Sequence, residues 1–117
     1  MRSDSVVQQP KSQSVKKGDH VTLSCSVRIS HCAAELTSVK WLKSNYYSYS
    51  YLGPQMIYSS ENQNNICKTT KSGETTCVFY RLMTDLSSRD AGTYYCVVTS
   101  CGHMMTGGGT FLKFESK

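Results

Sequence analysis

Cys25 and Cys96 stand far apart in the chain with its single tryptophan, Trp41, between them. The second cysteine closes an unusual heptapeptide, D-A-G-T-Y-Y-C, at residues 90–96. A bridge between the two would enclose a loop of about 70 residues, worth about 4 kcal/mol in the chain-entropy model. The residues ahead of Cys96 have separate roles. Gly92 allows a tight corner. Tyr94 can turn its hydroxyl back to the backbone, and Asp90 can accept hydrogen bonds or pair with a nearby base. The heptapeptide thus marks a corner from which a strand departs toward a buried cysteine.

The rest of the chain supports strands. Alternation is common and helical periodicity is weak. In residues 20–27, Val21, Leu23, Cys25 and Val27 share one face; in residues 38–43, Val39 and Trp41 oppose Lys40 and Leu42. Turn signals at residues 15–20, 53–54 and 71–74 separate eight or nine short strands, which predicts a β-sandwich. One segment leaves two registers open. Facing Phe79, Met83 and Leu86 to the core points Arg81 inward as well; the opposite register buries Tyr80 and Leu82; a bulge would reconcile them.

An inter-sheet disulfide with a tryptophan packed on it, and a tyrosine two residues before the second cysteine, resembles the core of an immunoglobulin domain. The 55 positions from Trp41 to Cys96 leave room for the C′ and C″ strands of the variable type. The expected fold is therefore all-β: a V-type Greek-key sandwich of two antiparallel sheets in one domain spanning residues 1–117, with Met1 expected to be an added start residue. "GGGTFLKF", residues 107–114, is similar to the joining segment of antigen receptors, matching at Gly107, Gly109, Thr110 and Leu112. Thr106 stands where those receptors usually place Phe or Trp. With its extra cysteines and "YYCVVTSCGH", the chain resembles a novel immune-type receptor of bony fish. That resemblance implies a germline-encoded receptor on lymphoid or natural-killer-like cells, with an extracellular, cell-surface location.

The chain has six cysteines and no C-x-x-C pair, as expected of a disulfide framework in an oxidising compartment. Beyond Cys25 and Cys96, the remaining four allow three pairings. On the immunoglobulin layout, Cys32 falls in the B–C loop and Cys101 in the F–G loop, which crown the same end. Cys67 and Cys77 face each other if Lys71, Ser72 and Gly73 form a three-residue hairpin loop. The expected pairs are Cys32 with Cys101 and Cys67 with Cys77, the short loop adding roughly 3 kcal/mol at most. A zinc site built from His31, Cys32, Cys101 and His103 is the alternative, but the spacing is not that of a zinc finger.

Composition narrows the function by exclusion. The net charge is +5, from 13 basic and 8 acidic residues scattered along the chain, which argues against a nucleic-acid stripe. No segment approaches the ~20 apolar residues of a membrane span. Membrane attachment is thus expected only through segments outside this chain. Neither a nucleophile elbow nor H-E-x-x-H is present, so no enzyme and no cofactor are expected.

Recognition remains. "SCGHMMTGG", residues 100–108, is expected to form the F–G loop, with Gly102, His103, Met104 and Met105 as an apolar protrusion and Ser30 and His31 at its rim. Methionine suits adaptable contacts, and a bridged loop loses less freedom on binding. The expected partner is a protein on another cell. The alternative is a homodimer or adhesion contact through the G-F-C-C′ face, where Leu42, Tyr95 and Val97 are expected to point outward. The Tyr- and Ser-rich residues 44–53 form a second candidate contact.

Overall fold

A computed structural model describes residues 4–44, 55–59 and 65–115. It is a sandwich of two sheets. The four-stranded sheet has the order β1 (Ser5–Gln9), β3 (Val21–Ser30), β7 (Glu74–Met83), β6 (Asn65–Thr69). The six-stranded sheet runs β2 (Ser12–Val15), β10 (Thr110–Phe114), β8 (Gly92–Ser100), β4 (Thr37–Ser44), β5 (Gln55–Ser59), with β9 (His103–Thr106) paired to β8. Strands β10 with β9, β8, β4 and β5 correspond to G, F, C and C′. The expected C″ strand would fall at residues 60–64, outside the described residues.

The inner faces follow the alternation read from the sequence. Leu23, Cys25, Val27, Val39 and Trp41 are all buried, and the Cys25–Cys96 bridge joins β3 to β8 beside Trp41. The Tyr94 hydroxyl donates to the Asp90 carbonyl over 2.6 Å, and the Asp90 carboxylate accepts the Ser87 N–H at 2.8 Å. The corner before β8 is thus tied at both ends.

Two features depart from expectation, and a third settles the register left open above. There are ten described strands, because the first and last extended segments are each divided. The first segment changes sheets at a cis Gln9–Pro10 peptide, so β2 pairs in parallel with β10 and the larger sheet is mixed, not purely antiparallel. No bulge interrupts the β3–β7 register. Phe79 and Met83 are buried, and Arg81, opposite Leu23, lies half-buried on the inner face while Tyr80 and Leu82 are exposed.

The last segment is divided by glycine. A side chain at Gly107 would come within 2.8 Å of the Cys96 sulfur and 2.4 Å of the Gln8 amide oxygen. Gly109, at φ 101°, would press a side chain against the Tyr95 ring at 2.9 Å. The Gly107 N–H donates instead to the Cys96 carbonyl, and strand pairing resumes at Thr110.

Gln8, only 4% exposed, fills the space left beside these glycines. Its Nε2 donates to the Tyr94 carbonyl (2.6 Å) and to Thr110 Oγ1 (3.2 Å). Its Oε1 accepts from the Cys96 N–H (3.3 Å) and the Gly109 N–H (3.1 Å). One side chain from the smaller sheet thereby satisfies four groups of the larger. Gln8→Ala should destabilise the domain by about 2–4 kcal/mol in urea unfolding, since it orphans buried backbone donors. A loss below about 1 kcal/mol would show that those donors find other partners.

Candidate recognition site

The end of the sandwich that carries the β3–β4 connection and the β8–β9 turn is covalently closed. Cys32 and Cys101 are bridged across it, and Cys67 is bridged to Cys77 at directly opposed positions of β6 and β7. Buried hydroxyls support the first bridge from below. Thr75 donates to the Cys32 carbonyl at 3.0 Å, and Thr37 and Ser100 share a hydrogen bond of 3.1 Å. A short 3-10 helix, Ala34–Leu36, follows Cys32 and leaves Leu36 exposed.

The segment expected to be a long loop is a hairpin. Cys101 (φ 47°) and Gly102 (φ 83°) form a two-residue turn with positive φ at both positions. That geometry matches the twist of paired strands. His103 then pairs with Ser100, Met104 with Thr99, Met105 with Val98 and Thr106 with Val97. Strand alternation therefore separates the two methionines. Met105 turns inward with Val98 and packs half-buried against the core. Met104 turns outward and is 72% exposed.

Met104 consequently belongs to the outer face of the six-stranded sheet. Thr106 and Val97 lie on that face, as do Leu42 and Tyr95, directly opposed across β4 and β8. Leu42, Tyr95 and Val97 are half-buried there. Phe111, opposite Thr93, adds an exposed ring that the sequence reading missed. Its signal was available: Phe111 alternates with Leu112, which matches the joining segment and is fully buried. The two surfaces treated separately in the sequence, the methionine segment and the flat face, are continuous.

The rim residues are placed differently. The His31 N–H donates to the Gly73 carbonyl at 3.0 Å and its ring lies beside Gly73, which ties it to the β6–β7 turn. Ser30 is half-buried, its N–H bonded to the Asp4 carboxylate at 3.0 Å. His103 is exposed at the turn end of the hairpin. Among the described residues all six cysteines are in disulfides and no cluster of three His, Cys, Asp or Glu side chains is arranged to hold a metal. Of residues 44–53, all but Ser44 lie outside the described residues.

Residues 8–114 match the immunoglobulin V-set domain. The chain belongs to that family. A rat (Rattus norvegicus) protein named tyrosine-protein phosphatase non-receptor type substrate 1 is 30% identical over 122 residues, a match that takes in 96% of this chain. The chain spans 22% of that relative's length.

At the other end of this V-set domain, Lys43 reaches in from β4. Its ammonium donates to the Arg89 carbonyl and stands 5.7 Å from the centroid of the Tyr94 ring. Burial pushes its pKa down, and the nearby Asp90 carboxylate pulls it back up. The methionines give the sharper test of the site geometry. Met105→Ala should lower stability by about 1–2 kcal/mol because the side chain is partly buried. Met104→Ala should stay within about 0.5 kcal/mol of wild type. Equal effects in thermal or chemical unfolding would contradict the alternation.

Proposed function

We propose that this V-set domain is the extracellular ligand-recognition module of a germline-encoded receptor of the novel immune-type class. It binds a protein on another cell and performs no catalysis. The observation that carries the reading is Met104, exposed on a strand and continuous with the apolar row of Val97, Tyr95 and Leu42. A flexible, polarizable side chain on a bridged hairpin offers an adaptable contact on a preorganised support. The hairpin turn and His103 extend the contact toward the crown. The rat relative is named as a phosphatase substrate, which supports placing the domain in a signalling protein.

Soluble multimers of the domain should stain ligand-bearing cells. Met104→Glu should reduce that staining by roughly tenfold or more, as expected of a central contact. Undiminished staining would move the site off this hairpin.

A second reading is favoured by the outward pairing of Leu42 with Tyr95 beside Val97. These residues lie where two V-set domains could pack face to face. In sedimentation, Leu42→Glu should weaken a wild-type dimer by roughly tenfold or more. A dimer indifferent to the change excludes this face, and a monomer at every concentration removes self-pairing.

A further inference from the structure

Along the chain the basic residues are dispersed, yet the fold gathers three of them. At the end of the sandwich opposite the Cys32–Cys101 bridge, the β2–β3 turn brings Lys16 and Lys17 beside Arg89 from the β7–β8 connection. They line an open cleft of about 660 Å³, with Ser87 and Ser88 between them and Phe114 and Glu115 at its edge. The lining therefore carries three cations and one carboxylate. Among the described residues, no acidic side chain pairs with Lys16, Lys17 or Arg89.

The walls are fixed. The Gly18 N–H donates to the Leu86 carbonyl (2.8 Å), the Leu86 N–H to the Asp19 carbonyl (3.0 Å) and the Glu115 N–H to the Val15 carbonyl (2.8 Å). Two nearby carboxylates are anchored to backbone and keep their charge: Asp19 accepts the Lys16 N–H and Asp90 accepts the Ser87 N–H, each at 2.8 Å, while Lys43 beside Asp90 adds a further cation. The Arg89 carbonyl is held by the Lys43 ammonium. Cations held around a concavity focus their field on an anion within it.

We propose that this cleft binds a sulfate-bearing glycan, with its sulfate esters on Lys16, Lys17 and Arg89. Arginine suits such oxyanions because its planar fork can bond two oxygens together. A concave site fits a sugar sulfate better than a flat membrane, and sulfated glycans suit the extracellular location on which this proposal rests.

The probe is a heparin-derived hexasaccharide, with binding followed by calorimetry. Affinity should fall roughly tenfold between about 50 and about 200 mM salt, as a few ionic contacts require. The triple change Lys16→Glu, Lys17→Glu and Arg89→Glu should weaken binding by at least roughly tenfold. Arg28→Glu, Lys68→Glu and Lys71→Glu alter the net charge equally at the opposite end and should leave affinity within about twofold. Equal losses in both triples would reduce the effect to overall charge and overturn the site. So would an absence of binding at physiological salt. Binding to phosphatidylserine vesicles without binding to the hexasaccharide would overturn it in favour of a membrane surface. If the first triple does not fold, Lys16→Gln, Lys17→Gln and Arg89→Gln should each cost roughly threefold; three silent neutralisations would equally reject the site. None of these changes touches Met104, so failure here is distinguishable from failure of the cell-recognition reading.

Discussion

The buried bridge between Cys25 and Cys96 sets the spacing on which the rest of the domain depends. It holds the two sheets together beside Trp41, and it also limits what can stand next to it. The chain passing Cys96 at position 107 has no room for a Cβ, because the sulfur and the Gln8 amide already occupy that volume. Glycine there lets the last extended segment break, and Gln8 takes up the backbone groups that the break would leave unpaired. The break separates β9 from β10, so β9 is positioned by β8 and by the bridge at the hairpin turn. A core constraint thereby determines which way Met104 points.

Much of the architecture was legible because it depends on local chemistry with few alternatives. The alternation around Cys25 and Trp41 identified the core faces, and D-A-G-T-Y-Y-C located the corner before β8. The opposed positions of Cys67 and Cys77 followed from the length of the turn between them. Other features were hidden for equally physical reasons. Gln8 is one polar residue in a polar stretch, and its burial depends on a glycine segment about a hundred positions away. Cys101 adopts a left-handed conformation that non-glycine residues visit infrequently, so nothing local announced the two-residue turn. Without that turn, the methionine segment reads as loop. Arg81 kept the inward register despite its charge because ten consecutive pairs with β3 outweigh the cost of one half-buried guanidinium near the strand's end.

The surfaces also differ in how they are built. The outer face of the six-stranded sheet is presented by paired strands, so its backbone is fixed before any partner arrives. The basic cleft is made by turns, but backbone hydrogen bonds between those turns serve the same purpose. One surface offers apolar area and the other charge, and they occupy different regions of the domain.

The Cys32–Cys101 bridge has a consequence for how such a domain can diversify. Its two connecting segments meet at a covalent bond, so neither can be lengthened near the bridge without displacing the other. The two-residue turn adds a second restriction, because an insertion there would shift β9 by one position and exchange the outward and inward methionines. Variation at this end is therefore channelled into substitution at fixed backbone positions, and related domains that keep the bridge should differ in the chemistry of their crowns more than in crown length.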